Sequence, residues 1–379
     1  MLNVILLGIT SLLTDISTEM VYPILPFFLS SLGAGPGVLG IIEGIAESLA
    51  SLLKVFSGYF SDKMRRRKPL AILGYGASTI GKLFLYVANS WFWVLTARII
   101  DRFGKGIRTA PRDALIADST KKTERGYAYG LHRAFDTLGA ALGVLIAFYL
   151  IKNLSKTSYR PVFLYSLIPA FLGVIILFII REQKALSSVP SNKLKFSFRS
   201  LPTKLRLFLL ASFIFSLGNS SNQFLILRAK AFGFSLTSVL LLYLCYNLIY
   251  GVFSFPLGKL SDKFGRRRII VLGYLIYSLV YGVFAFANQS WLFWVLFCVY
   301  GLYSAFTEGV EKAYLSEISP PELRGSVIGL HATLTGIGLL PASVIAGSLW
   351  QLFGFSVPFI LGSVVGFGAA TMMFFAVKY

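Results

Sequence analysis

The chain carries the same charged loop twice. Gly58, Asp62, Lys63 and the basic run Arg65 to Lys68 form one copy, and Gly258, Asp262, Lys263, Gly265 and Arg266 to Arg268 form a second copy 200 positions later. Each copy ends one long apolar run and precedes another, so each is a tight polar turn between two hydrophobic helices. The match runs well past these loops. Leu73-Gly74-Tyr75 returns as Leu272-Gly273-Tyr274, and Asn89-Ser90-Trp91 is echoed by Asn288-Gln289-Ser290-Trp291. Arg125-Gly126, Gly130-Leu131-His132 and Gly139 recur 199 positions on as Arg324-Gly325, Gly329-Leu330-His331 and Gly338. The two histidines of the chain therefore fall on equivalent positions. So many matches in one order at one offset mean that two copies of one unit build the fold.

Composition says what solvent surrounds that unit. Hydrophobic residues make up 56% of the chain and charged residues only 14%, whereas a soluble domain carries about 25% charged residues. The unit belongs in a bilayer. A net charge of +20 would suggest nucleic acid in a soluble protein, but here the basic residues concentrate in short loops between apolar runs, as membrane topology requires. No nucleic-acid partner is expected. Cys245 and Cys298 lie inside apolar runs and form no spaced pair, so neither a disulfide framework nor a metal site is indicated. The first apolar run holds Asp15 and Glu19 and continues into Pro23 and Pro26, which marks a retained helix rather than a signal peptide.

Runs of bilayer-spanning length fall at roughly 4–32, 37–60, 69–88, 91–116, 127–151 and 161–180, and again at roughly 207–229, 235–260, 269–287, 290–316, 325–350 and 355–377. The expectation is an all-α integral membrane protein of twelve transmembrane helices in two pseudo-symmetric six-helix bundles, residues 1–180 and 207–379. The polar, basic stretch 181–206 links them. Twelve spans put both termini on one side, and the loops at 61–68, 117–126, 181–206 and 261–268 hold most of the Lys and Arg. That side should be the cytoplasm, with the chain in the plasma membrane. Lys152, Lys156 and Arg160 on the other side weaken the asymmetry without reversing it. A β-barrel is excluded, because the runs are about twice too long and do not alternate.

Six spans repeated as six, with the same orientation in each half, is an arrangement of secondary transporters. The chain resembles the major facilitator superfamily over its whole length. Gly58, Asp62, Lys63, Arg66 and Arg67 match that family's loop motif between helices 2 and 3, with Arg65 where a Gly is usual. Gly258, Asp262, Lys263, Gly265, Arg266 and Arg267 match its copy between helices 8 and 9. Arg98, Asp118, Glu124-Arg125-Gly126 and the Leu25-Pro26 region extend the resemblance. It implies that the motif residues, Asp62, Arg66, Asp262 and Arg266 above all, brace a cytoplasmic gate.

Mechanism should come from the charges that a membrane penalises. At about 1.5 Å per residue, Asp15, Glu19, Glu47, Asp101, Arg102 and Asp136 come out near mid-depth, with Glu43 and Arg98 closer to the outer face. Nearly all are in the first half. The seventh span offers Asn219, Asn222 and Gln223 in their place, and the eighth offers Tyr243 and Asn247. One half titrates and the other hydrogen-bonds. Asp15, Glu19, Glu43, Glu47 and Asp136 are therefore the candidate proton-coupling groups. Arg98, Asp101, Arg102, Asn219, Asn222, Gln223, Tyr243 and Asn247 are the candidate substrate contacts. Glu43 and Glu47 share one helical face, and the fourth-span residues Arg98, Arg102 and Lys105 are positioned to neutralise them in ion pairs instead. Asp136, beside Arg133 and the small-residue stretch Gly139 to Gly143, also fits a packing role.

The duplication adds a candidate latch. Arg112-Asp113 corresponds to Glu311-Lys312 with the signs exchanged, so these charges are placed to pair across the halves when the inner side closes. Solvated helix ends are the plain alternative. Trp91, Trp93, Trp291 and Trp294 stand where interfacial aromatics anchor. His132 and His331 read as packing residues, and Gly104-Lys105-Gly106 follows no strand, so it is not a phosphate loop.

Acids outnumber bases near mid-depth, basic residues are scarce inside the second half, and aromatic residues reach 15%. These observations point to a cationic or neutral, partly apolar solute. The helix 1 carboxylates, Pro23 and Pro26, and Arg98 resemble proton-coupled drug exporters of the superfamily, although Val144 stands where their helix 5 motif has proline. The expected activity is secondary active transport by alternating access, as proton-coupled efflux antiport of a small amphipathic compound. The partners are then the solute, protons and the lipid bilayer, and a monomer suffices. Two alternatives stay open: carriage of an anionic solute or lipid headgroup by the helix 4 arginines, and a non-transporting membrane sensor. No catalytic constellation, nucleotide loop, cofactor motif or metal-ligand spacing points to an enzyme.

Overall fold

The computed structural model describes residues 2–64, 66–121, 124–153, 158–182, 201–320 and 323–375, without the side chains of Tyr59, Asp62, Lys63 and Arg125. Most of the 181–206 linker and Arg65 thus lie outside the described residues.

Proline and glycine punctuate the helices. The first span is α1 (Leu2–Val21), a 3-10 turn at Tyr22–Ile24 and α2 (Leu25–Ser31). Pro23 and Pro26 each remove a backbone donor, which tightens the helix at this point. Gly33, with φ 76°, ends the span and Pro36 opens α3 (Pro36–Met64). There follow α4 (Lys68–Val87), α5 (Trp91–Asp118), α6 (Arg125–Asn153) and α7 (Arg160–Ile179). The second half opens with α8 (Thr203–Gly218) and α9 (Gln223–Phe232). The seventh span is thus broken at 219–222, at the pseudo-symmetric counterpart of the first span's 3-10 turn. Gly233, with φ 107°, caps α9 in the left-handed conformation, as Gly33 does its counterpart. The remaining helices are α10 (Leu236–Phe264), α11 (Arg266–Phe286), α12 (Ser290–Ile318), α13 (Arg324–Phe353) and α14 (Ser356–Phe375). Nine spans among the described residues are individually long and apolar enough to cross a membrane. Charge sets α3 and α5 apart, since they carry Glu43, Glu47, Lys54, Asp101 and a series of arginines. The seventh span falls short because its pieces are only 16 and 10 residues long.

Packing follows the repeat. In the first bundle α1 lies against α6 and α7, and α4 and α3 lie against α5. In the second, α8 lies against α13 and α14, and α11 and α10 lie against α12. Small residues permit these approaches: a side chain at Gly139 or Gly143 would strike the α1 backbone at Leu12 or Ile16. Two seams join the bundles, α3 with α13 and α6 with α10. At the first seam Gly40 and Gly347 bring the helices into backbone contact, and Gly37 donates to Gln351 Oε1 at 3.2 Å. Phe171, Phe255, Leu279 and Val364 are exposed on the outside, the apolar belt that lipid tails cover.

Candidate functional site

The face that bears the basic loops is called here the basic face. A cavity of about 580 Å³ lies between the bundles, lined by α1, α3, α5 and α6 on one side and by the second bundle on the other. It reaches from the two span breaks to Arg133 and Glu308, whose side chains are more than half exposed. The cavity therefore opens toward the basic face and is closed at the opposite one.

A polar knot makes the closed end. Arg98 donates from Nε and Nη2 to the two oxygens of Glu43 at 2.9 and 3.0 Å, and neither side chain is more than 3% exposed. The same carboxylate accepts from Ser221 Oγ at 3.1 Å, across the bundle boundary. Tyr22 hydroxyl lies 3.4 Å from Ser221 Oγ, and its backbone carbonyl accepts from Gln223 Nε2 at 2.9 Å. The pseudo-symmetric breaks of spans one and seven thus close on each other. A buried pair that is bidentate and further hydrogen-bonded is the kind a low-dielectric interior tolerates.

Most charges on the first-bundle wall are paired. Glu47 meets Arg102 at 3.0 Å, and Asp101 is ringed by Lys82, Arg98 and Arg102 at 3.5 to 4.0 Å. Arg108 donates to Ser78 Oγ and lies over the Tyr75 ring. Asp136 faces His132 at 3.5 Å while its Oδ1 is buried without a hydrogen-bond partner. Asp15 and Glu19 differ. They stand one turn apart on α1, both line the cavity, and neither forms an ion pair among the described residues, which is also true of the bases Lys105 and Arg108 on the same wall. Glu19 Oε2 is buried with no hydrogen-bond partner, and Tyr243 is its neighbour from the other bundle.

The facing wall is polar and aromatic. Asn219 Nδ2 donates to Tyr303, Tyr300 donates to Asn222 at 2.7 Å, and Tyr243, Tyr246, Tyr250 and Tyr274 complete a bank of hydroxyl-tipped rings. Only Ala140, Phe215 and Leu339 among the described lining residues have purely hydrocarbon side chains. At the mouth Arg133 reaches across from α6 to Tyr250 and Glu308, which also bond each other.

The sequence-based candidates divide accordingly. Asp15, Glu19, Glu47, Asp101, Arg102, Asp136, Asn219, Asn222, Tyr243 and Asn247 reach the cavity wall. Glu43, Arg98 and Gln223 do not: they are buried behind it in the closing knot, because Ser221 and Tyr22 pull them toward the bundle seam. The residues not foreseen are Lys82, Arg108, Glu308 and, Tyr243 apart, the tyrosine bank. Lys82 interrupts an apolar span as visibly as the acids do, and Tyr243, Tyr246 and Tyr250 follow helical spacing along one face.

At the basic face Arg266 bonds Asp262 at 2.8 Å and Glu317 at 3.1 Å. Its counterpart at the 199-residue offset is Arg67, which pairs with Asp118, the counterpart of Glu317. Arg67, rather than Arg66, thus makes the ion pair equivalent to that of Arg266, because the first loop is one residue longer. The Asp62 and Lys63 side chains lie outside the described residues, and Gly58 and Gly258 leave room for a side chain without backbone conflict. Gly258 lies within α10, and the turn into α11 is made at Gly265, with φ 91°; Lys263 stands exposed in the last turn of α10. The candidate latch is not paired across the bundles here: Arg112 bonds Asp113 at 2.8 Å, while Glu311 accepts from Tyr274 at 2.9 Å, and Lys312 points to solvent beside it.

Known proteins share this plan. The sequence profile of the Major Facilitator Superfamily matches residues 7–226 and 208–379. An uncharacterized MFS-type transporter of Methanocaldococcus jannaschii is 39% identical over 98% of this chain and 94% of its own. The multidrug resistance protein MdtG of Enterobacter lignolyticus is 24% identical over 96% of this chain and 89% of its own. The crystal structure of the nucleoside transporter NupG superposes with a TM-score of 0.81 over the full length of both chains, at 13% identity. With two profile matches that together span nearly all of its residues and a relative this similar from end to end, the chain belongs to the Major Facilitator Superfamily of membrane transporters.

Proposed function

We propose that the chain exchanges protons for a small organic cation that carries hydrogen-bonding groups, exporting the cation by alternating access. The observation that carries this reading is the pair Asp15 and Glu19, two cavity-lining carboxylates with no ion-pair partner among the described residues. An unpaired carboxylate within a membrane is costly; Lys105 and Arg108 near Asp15, and Lys105 and Arg102 near Glu19, offset part of that cost without forming ion pairs, which leaves each carboxylate open to a proton or a cationic solute. Competition for one seat is a coupling mechanism, because an occupant that favours one state of the bundles excludes the other. The facing tyrosines and asparagines supply ring faces for a cationic head and hydroxyl and amide groups for the rest of the solute. With so little hydrocarbon on the wall, the cargo is more polar than an amphipathic drug. Arg98 and Arg102 are engaged by carboxylates, which argues against an anion held by them; an anionic solute would have to use the cavity-lining Lys105 and Arg108, which form no ion pair among the described residues.

In this account the bundles 1–180 and 207–379, linked by 181–206, rock about the cavity, with the basic face and both termini in the cytoplasm of a plasma-membrane protein. One chain encloses the whole cavity, so a monomer suffices. The similarity to a protein named for multidrug resistance supports the outward direction. The test is a panel of organic cations, neutral polyols and organic anions, followed in proteoliposomes with and without an imposed pH gradient. Cations moving against the proton flow support the proposal. Movement of anions alone, or transport indifferent to the gradient, overturns it.

A further inference from the structure

Glu311 has no place in the coupling scheme built on α1. It lines the cavity from α12, 15% exposed, at the level of the mouth. Tyr274 of α11 donates to its Oε1, and His331 Nε2 of α13 stands 3.7 Å from Oε2, too far for a hydrogen bond and without another partner. His331 is held there by stacking on Phe208 of α8. On its own helix Glu311 has Glu308 one turn away and Lys312 beside it, the latter turned outward, where Lys54 of the opposite bundle faces it. No arginine or lysine ion-pairs with Glu311 among the described residues.

The duplication says which group meets this carboxylate when the cleft closes. At the 199-residue offset Tyr274, Glu311 and His331 correspond to Tyr75, Arg112 and His132. Two bundles related by a pseudo-twofold axis place equivalent residues at equal distances from that axis. Rocking that closes the basic face therefore brings Arg112 and Glu311 toward each other. Arg112 now spends its charge on Asp113, an adjacent residue that is 40% exposed, with Asp136 nearby. We propose that Glu311 is a second proton-exchanging carboxylate, and that Arg112 is the cation that takes the proton's place when the basic face closes. Resting on the proton-coupled reading above, this gives the carrier one proton site in each bundle. The proton on Glu311 leaves as the Arg112 pair forms, so ionisation of Glu311 favours closure and protonation favours opening.

Spin labels at Ala117→Cys and Ser316→Cys, pseudo-equivalent sites near the ends of α5 and α12, read the closure in nanodiscs once Cys245 and Cys298 are replaced by Ser. The wild-type ratio of short to long distances should rise between about pH 5 and about pH 9, by up to about tenfold per pH unit for one linked proton. Glu311→Gln keeps an acceptor for Tyr274 and should flatten that dependence, held open. Arg112→Gln should flatten it too, and the exchange Arg112→Glu with Glu311→Arg should restore closure at alkaline pH. A Glu311→Gln profile that overlays the wild type overturns the proposal, as does an Arg112→Gln profile that does so. A chain that moves no cation yet shows the Glu311-dependent shift retains this inference and loses the transport reading; proton-coupled flux without that shift does the reverse.

Discussion

Replacing Glu43 with Gln isolates the charge at the closed end of the cavity. The substitution preserves shape and leaves an acceptor for Ser221, but it removes the anion bound by Nε and Nη2 of Arg98. Removing one partner of a buried pair costs about 3–5 kcal/mol. Arg98 retains Glu47 and Asp101, each 3.6 Å away, which puts the loss near the lower end, ~3 kcal/mol. An unfolding entropy of ~2 cal/mol/K per residue, taken over 379 residues, turns this into a fall of about 4 °C in Tm. Thermal unfolding in detergent, followed by tryptophan fluorescence at several scan rates, measures it. Glu47→Gln is the control, because Glu47 is 27% exposed and its pair is better solvated; its shift should be clearly smaller. In a double-mutant cycle, Glu43→Gln and Arg98→Gln together should cost less than the sum of the single changes. A Tm for Glu43→Gln equal to that of the wild type, or strictly additive losses, would refute the reasoning that this pair fastens the α3–α5 wall.

Three further outcomes follow from the same geometry. Gly40→Val places a side chain against the Ser343 carbonyl and Gly347, so it should hold the opposite face open; a cysteine at Ser220 should then react faster with a membrane-impermeant maleimide added from that face. Arg67→Ala should lower Tm and transport much as Arg266→Ala does, while Arg66→Ala should leave both nearer the wild type, a comparison read by thermal unfolding and solute uptake. Arg133→Ala removes an ion pair that is more than half exposed on both sides, so its stability cost should stay below about 1 kcal/mol and vanish in high salt.

The repeat made the fold legible. Two copies of one apolar-run pattern at a fixed offset determine span number and the parallel arrangement of the halves with no knowledge of packing, and membrane cost alone singled out Asp15, Glu19, Glu47, Asp101, Arg102 and Asp136, all of which reach the cavity wall. Pairing was less accessible. Glu43 and Glu47 share a helix face and look alike in sequence, yet one is fully buried against Arg98 and the other lines the cavity. The difference is Ser221, which reaches Glu43 from 178 residues away. Lys82 was readable in the same way as the acids, as a lone charge in an apolar span. Apart from Tyr243, the tyrosine bank was not, because a tyrosine on α10 or α12 facing lipid headgroups and one facing a cavity have the same spacing. The shift from Arg66 to Arg67 follows from a one-residue difference in loop length that the change of offset from 200 to 199 already carries; which arginine meets the acid at the end of α5 is visible only in the structure.

The most direct test of the account is the proton balance of the α1 carboxylates. Protein carrying Asp15→Asn and Glu19→Gln together, reconstituted with a pH-sensitive dye inside the vesicles, is compared with wild type on addition of an organic cation found to be transported. The account predicts that solute-linked proton movement disappears while cation counterflow, which needs no net proton exchange, survives in part. Proton movement per cation equal to that of the wild type would contradict it.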